Sequence, residues 1–128
     1  MPRPKSKDLA RACARLADEK KAENVLVLHV APVTPIADYF VLATSRNPRQ
    51  IRAMAQDMKS DVEALGVKVV GVEGTAESGW VLLDFGDVVA HLFDAPTREL
   101  YGLEMLWGDA PVVKWEKKAR ARPRKGKT

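Results

Sequence analysis

Two apolar runs, 80–84 and 87–93, are separated only by the dipeptide Phe85-Gly86. A connection of two residues joins antiparallel neighbours, because parallel strands need a crossover of about a dozen residues or more. These runs are therefore predicted to form a β-hairpin. With Phe85 and Gly86 as the turn, the predicted cross-strand pairs are Asp84 with Asp87, Leu82 with Val89, and Trp80 with His91.

Successive side chains of a strand point to opposite faces, so the hairpin divides into two unlike surfaces. One face carries aliphatic side chains of moderate size, namely Val81, Leu83, Val88, Ala90 and Leu92. The other mixes large apolar groups with ionisable ones, namely Trp80, Leu82, Asp84, Asp87, Val89, His91 and Phe93. The first face is predicted to pack beneath helices. Trp80, Leu82 and His91 are predicted to lie on the opposite surface.

The remaining periodic segments predict an α/β (α+β) protein with a mixed sheet and flanking helices, in the order α-β-β-α-β-β-β-α. The predicted elements outside the hairpin are a helix over about 6–22, strands at 24–30 and 38–45, a helix from 48, a strand at 67–72 and a helix over about 95–106. The helix from 48 has the clearest boundaries. Asn47 suits an N-cap, Pro48 the first helical position, Gln50 a variant capping box, and Gly66 a left-handed C-terminal cap.

Charge divides the chain into a body and a tail. Residues 1–113 hold 13 Lys/Arg and 16 Asp/Glu, a formal charge of −3, whereas residues 114–128 hold eight Lys/Arg and Glu116, a formal charge of +7. We therefore expect one domain over 1–113 and a basic, disordered tail over 114–128. The tail is suited either to solubility or to contacts with RNA phosphates, and composition leaves both open.

The composition also limits the cellular compartment and the cysteine chemistry that can be expected of this chain. No apolar run approaches the roughly 20 residues that span a bilayer, and the N-terminus lacks the apolar block of a signal peptide, so a cytoplasmic protein without membrane contact is expected. Cys13 is the single cysteine, which excludes an internal disulfide and zinc sites of paired cysteines. Its spacing to Leu9 and Leu16 predicts a small buried side chain.

The mixed face of the hairpin allows a catalytic interpretation. Asp84 and Asp87 would share a divalent metal while His91 acts as a base, as in a metal-dependent nucleotidyltransferase. Such a site also needs a phosphate-binding turn, yet the segment 44–48 contains no glycine. The sequence therefore disfavours an enzyme, and no catalytic residue, cofactor or metal is expected.

A binding interpretation uses the same residues and requires no group that the sequence lacks. Trp80, Leu82 and Phe93 become apolar anchors, with the aspartates and the histidine as a polar rim. A purely structural interpretation stands beside it, in which the tryptophans belong to the core and the aspartates only form the turn. Spacing alone favours the structural interpretation.

Several longer motifs resemble one known family. The matching segments are 37–41 (ADYFV), 45–50 (SRNPRQ), 72–74 (VEG), 79–93 (GWVLLDFGDVVAHLF) and 98–111 (RELYGLEMLWGDAP). Together they resemble the ribosomal silencing factor (Iojap-like) family over about residues 6–111, with Pro48 as a modest departure. The resemblance implies a mixed five-stranded sheet, similar to a nucleotidyltransferase fold without catalytic residues.

The resemblance also implies a function and a surface. Family members are understood to bind large-subunit ribosomal protein fourteen, to block subunit joining and so repress translation, and to assist large-subunit maturation. An RNA-binding accessory protein acting through the tail remains the alternative, and the oligomeric state stays open between monomer and homodimer. The family's partner-binding surface corresponds here to Trp80, Leu82, Asp84, Phe85, Asp87, His91, Arg98, Tyr101 and Trp107. Trp107 is equally suited to anchor the final helix.

Overall fold

Residues 4–116 are described by the computed structural model. Its elements are α1 (Ser6–Glu19), β1 (Glu23–His29), β2 (Tyr39–Ser45), α2 (Pro48–Ala64), β3 (Gly71–Thr75), β4 (Trp80–Asp84), β5 (Val88–Asp94), α3 (Ala95–Tyr101), α4 (Leu103–Leu106) and β6 (Val112–Val113). The predicted order of helices and strands is confirmed. The short elements α4 and β6 extend it, so the sheet has six strands instead of five.

The strands lie in the order β3-β4-β5-β2-β1-β6, with β2 and β5 parallel at the centre and the other neighbours antiparallel. The predicted mixed sheet is therefore confirmed. Every residue of β2 is buried. A strand covered on both faces reads as a continuous apolar run, which is the pattern of this segment.

The helices α1 and α2 cover one face of the sheet. Their apolar stripes meet the face of the hairpin that carries Val81 and Leu83, and Cys13 is buried there as predicted. The start of α2 follows its sequence signals: Asn47 Oδ1 accepts a hydrogen bond from the Gln50 N–H at 2.8 Å. Gly66 follows α2 with a φ of 85°, so the predicted boundaries of this helix are confirmed.

The opposite face is covered over most of its area, in contrast to the prediction of an open surface. Leu103 of α4 and Ala110 pack there on Phe40, Leu42 and Phe93 to form a second core cluster. One helix was predicted over 95–106, but Gly102 adopts a φ of 53° and separates α3 from α4. This left-handed glycine turns the chain so that α4 reaches the sheet.

The third strand was predicted over 67–72 but occupies Gly71–Thr75. Val67 is buried and its N–H bonds to the Val62 carbonyl, so the start of the apolar run closes α2 instead of joining the sheet. A tight turn between Thr75 and Trp80 then fixes the pairing of β3 with β4. The turn, more than the apolar run, sets the register here.

The hairpin of β4 and β5 forms in a register two residues from the predicted one. The observed pairs are Trp80 with Phe93, Leu82 with His91, and Asp84 with Val89. The turn centres on Gly86-Asp87, where Gly86 has a φ of 92°, as the first central position of a type II′ turn requires. A shift of two residues leaves each side chain on its predicted face, so the division into two faces is confirmed.

The chain after β6 stays on the body beyond the predicted domain limit. Trp115 is partly buried, its Nε1–H donates to the Val25 carbonyl at 3.2 Å, and its own carbonyl accepts from Arg15 Nε at 2.9 Å. The packed body therefore includes Trp115, which was assigned to the tail. The rest of the predicted tail, from residue 117, lies outside the described residues. Within residues 4–116, no helix is both long and apolar enough to cross a membrane.

Replacing Asn47 with alanine should lower the free energy of unfolding by about 1 kcal/mol, because the cap hydrogen bond to the Gln50 N–H is lost. The midpoint of urea unfolding would measure this difference, with the dependence of the unfolding free energy on urea concentration unchanged. Ser60→Ala, on the exposed side of α2, is the matched control and should change stability by less than about 0.5 kcal/mol. Equal effects of the two substitutions would contradict the role of the cap.

Candidate functional site

A groove of about 290 Å³ opens between β3, β4 and α3, at one edge of the sheet. Its lining residues are Glu73, Gly74, Ser78, Trp80, Leu82, Thr97 and Tyr101. Three of the nine residues predicted to bind a partner, Trp80, Leu82 and Tyr101, thus meet in one concave surface. The predicted exposure of Trp80 and Leu82 is met in part, since both are half-buried.

Two glycines bring the walls of this groove close together. A Cβ on Gly74 would lie 2.1 Å from the Trp80 carbonyl oxygen, and one on Gly79 would lie 2.4 Å from an Asp94 carboxylate oxygen. Both residues also have positive φ. That Asp94 side chain caps α3 by accepting from the Thr97 N–H at 2.9 Å. The turn before β4 therefore packs directly against the start of α3, which only glycine permits.

Aromatic rings connect the groove to the core beneath it. The ring centroids of Trp80 and Tyr101 are 4.8 Å apart, and those of Trp80 and Phe93 are 5.1 Å apart. Tyr101 is 54% exposed whereas Phe93 is fully buried. Trp80 thus stands between solvent and core, with one side held by packing. A large ring fixed in this way is preorganised for contact with another molecule.

His91 lies beneath the groove and not on the surface, so its predicted exposure is wrong. It is 5% exposed, and its Nδ1 accepts a hydrogen bond from Trp80 Nε1 at 3.3 Å. Phe40 packs edge-on against the imidazole at a centroid distance of 4.9 Å. Burial lowers the pKa of His91 from its ordinary 6.5 to about 4. The imidazole of His91 is therefore neutral and carries its proton on Nε2. Its Nδ1 orients the indole of Trp80.

Phe85 is also misplaced by the prediction, because it is 1% exposed and belongs to the core beneath α1 and α2. The observed turn explains this. With Gly86-Asp87 at the tip, Phe85 continues the inward series of Val81 and Leu83. A direct contact between Phe85 and a partner is therefore excluded in this conformation.

Arg98 is a buried structural cation, whereas the prediction made it a surface contact. It is 8% exposed. Its Nη1 donates to the Asn24 carbonyl at 2.6 Å and to Thr44 Oγ1 at 2.9 Å, and its Nε donates to Glu104 Oε2 at 3.0 Å. One guanidinium thereby joins α3 to β1, β2 and α4. Three of its five N–H donors are used within the chain and the side chain is buried, so its effect on any partner is through the position of α3.

The two aspartates at the hairpin tip have different environments. Asp84 is half-buried, and its Oδ1 accepts from the Gly86 N–H at 2.8 Å, as the structural interpretation predicted for a turn former. Asp87 is exposed at the tip. In residues 4–116, no three His, Cys, Asp or Glu side chains lie close enough to hold a metal ion. The residues invoked for catalysis are not assembled into a single site here.

Trp107 has a mixed position, since it is half-buried and packs edge-on against Phe40 at a centroid distance of 5.6 Å. It therefore anchors the segment after α4, as the core interpretation of Trp107 allowed. Nearby, Leu100, Met105 and Leu106 are exposed. The predicted partner-binding residues did not include these three side chains, nor Glu73 in the groove. The pairing of Glu73 with Leu82 depends on the register of β3, which the apolar pattern misplaced.

The fold and the groove define a small α/β protein with one mixed sheet and an aromatic surface of the kind that protein interfaces use. The family model described as ribosomal silencing factor during starvation matches residues 3–128. The chain belongs to this family, as the sequence motifs indicated.

Individual relatives agree with this assignment. The ribosomal silencing factor RsfS of Bacillus subtilis is 39% identical over 107 residues, which cover 84% of this chain and 91% of the relative. The mouse protein named mitochondrial assembly of ribosomal large subunit protein 1 is 33% identical over 95 residues, covering 72% of this chain and 42% of that protein. A crystal structure of a protein from Chromobacterium violaceum has a TM-score of 0.78 at 28% identity, covering 82% of this chain and 88% of that one.

The free energy of unfolding should fall as the pH decreases from about 6.5 to 4. His91 is neutral in the folded protein but takes up a proton in the unfolded chain, because its folded pKa is depressed to about 4. The difference in pKa corresponds to roughly 3 kcal/mol. Urea unfolding at pH 7 and pH 4.5 measures the change. His91→Phe should lose this part of the pH dependence, and a variant that retains all of it would contradict the assignment.

Proposed function

We propose that this protein binds the large ribosomal subunit through the groove of Trp80, Leu82 and Tyr101 and blocks subunit joining by steric occlusion. The proposed partner within the subunit is large-subunit ribosomal protein fourteen. The observation that carries the proposal is the half-open aromatic groove at the sheet edge. Membership of a ribosomal silencing family supports it.

The groove has the composition of a binding hot spot. Trp and Tyr are enriched at such sites because a large rigid ring buries much apolar area at a low cost in conformational entropy. Trp80 and Tyr101 are already in contact with each other. The exposed side chains of Leu100, Met105 and Leu106 on α3 and α4 extend the apolar surface beyond the groove.

Steric occlusion requires only that the protein bind tightly to the large subunit at the surface where the small subunit joins, and it involves no chemical step. A chain of 128 residues has a radius of gyration of about 14 Å when folded. Bound to the joining surface of the large subunit in the cytoplasm, a body of this size would overlap the volume of the small subunit. Function as a repressor of translation follows from that overlap alone.

The other residues of this chain that were predicted to bind the partner have different roles in the proposed function. Asp84 and the exposed Asp87 form a polar rim, whereas His91, Arg98 and Trp107 support the groove from within the fold. A role in large-subunit maturation would use the same surface. The name of the mouse relative, which concerns assembly of the ribosomal large subunit in mitochondria, motivates that second use.

Trp80→Ala and Tyr101→Ala should each weaken co-sedimentation with large subunits about 30-fold, because loss of a hot-spot ring costs about 2 kcal/mol or more. Subunit joining in the presence of either variant should recover. Leu65→Ala is the matched control, because Leu65 is an exposed apolar residue at the end of α2, on the other face of the sheet. Urea unfolding would verify that each variant is folded. Binding by folded Trp80→Ala and Tyr101→Ala at the level of the unchanged protein would count against the proposal.

The basic residues after Trp115 are proposed to contact rRNA as a secondary attachment. Residues 117–128 carry seven Lys/Arg. The tail begins where Trp115 is fixed against β1, and β1 is four strand spacings from β3, or about 19 Å. Two contacts separated in this way would reinforce each other through effective concentration.

Truncation after Glu116 should leave binding through the groove but reduce its dependence on salt. Each lost phosphate contact lowers the slope of log K against log salt by about 0.7 to 0.9. Co-sedimentation at several salt concentrations measures both quantities. An unchanged slope would reject the rRNA contact, and complete loss of binding would make the tail the principal site in place of the groove.

A further inference from the structure

Among the described residues 4–116, Glu73 is the only charged one that lines the groove. It is exposed on β3 and lies directly across from Leu82, on the same face of the sheet. Its carboxylate forms no ion pair within residues 4–116. The groove therefore combines an apolar wall with one uncompensated negative charge at its rim.

The surroundings of Glu73 reinforce this charge. Asp84 follows Leu82 by two residues on the same face, and Asp87 is exposed at the tip of the hairpin. Arg98, the cation of α3, is buried and bound by Glu104. Arg52 is paired with Glu77 at the neighbouring turn. Lys68, exposed ahead of β3, is the cation of the segment that leads into this edge, so Glu73, Asp84 and Asp87 leave the edge with an excess of negative charge.

From this geometry we propose that the groove binds a basic protein segment, which packs a large apolar side chain against Trp80 and Tyr101 and places a lysine or arginine on Glu73. This inference rests on the proposed function and specifies the chemistry of the partner at the same site. A phosphate backbone is disfavoured there, because phosphates close to Glu73 and Asp84 would meet like charge. The groove therefore selects protein and leaves RNA contacts to the basic tail.

The carboxylate acts mainly on specificity and on the rate of association. An ion pair at a rim that stays partly hydrated contributes modestly to affinity, so Glu73→Gln should weaken binding by about fivefold at most. Charge reversal is more severe, because a partner cation then faces a cation. Glu73→Lys should weaken binding by at least about 30-fold, mainly through slower association at low salt.

The test measures association rates and equilibrium binding of the full chain to large ribosomal subunits at low and high salt. The variants are Glu73→Gln, Glu73→Lys and the matched control Glu63→Lys, which makes the same charge change on exposed α2, at the other face of the sheet. Slower association at low salt for both Glu73 variants, with little effect of Glu63→Lys, is the expected result. Glu73→Gln nearly preserves side-chain shape, so the test remains decisive if Glu73→Lys does not fold.

Two outcomes overturn the inference. Binding of the Glu73 variants equal to that of the unchanged protein removes the cation contact, and tighter binding of Glu73→Lys indicates a phosphate in the groove. Comparison with Trp80→Ala and Tyr101→Ala separates this failure from that of the proposed function. If those two variants lose binding while the Glu73 variants keep it, only the partner chemistry is wrong. If the unchanged protein does not bind large subunits, both proposals fail.

Discussion

The parallel pairing of β2 with β5 is the constraint on which the other elements depend. Seven residue pairs, from Tyr39 with Val88 to Ser45 with Asp94, join two strands at the centre of the sheet. Parallel neighbours need a long crossover, and here it contains α2, β3 and β4. The chain therefore crosses one face of the sheet as α2 and re-enters the sheet at its edge as β3 and β4. That path puts β3 and β4 on the outside and leaves one end of the sheet for the groove.

Coverage of both faces leaves the edges as the open parts of the sheet. At one edge, β3 and β4 form the groove with α3. Beyond the other, the chain after β6 is held on α1 and β1 by the hydrogen bonds of Trp115. In the proposed mechanism, the apolar, mildly acidic groove and the described start of the basic segment, at Trp115, thus lie toward opposite edges of the sheet.

Local signals in the sequence predicted local structure well. Asn47 and Gly66 bound α2 as expected, because caps act within a few residues. The faces of the hairpin followed from alternation, although its turn lay one residue further along than predicted. Alternation could not tell whether another layer covers a face. His91 is buried because Phe40 and the segment around Trp107 pack on that face, and these contacts join residues distant in sequence.

His91 and Arg98 lie in motifs that this chain shares with the family, yet both side chains are buried and act by supporting other residues. His91 orients the indole of Trp80, and Arg98 fixes α3, which carries Tyr101. Neither residue faces solvent enough to contact a partner directly, yet both determine whether the two rings stand ready in the groove. Ordering a loose side chain on binding costs about 0.5 to 1.5 kcal/mol, so rings already held by the core keep more of their contact energy as affinity. A motif that combines exposed anchors with buried supports is thus the pattern expected of a rigid docking surface.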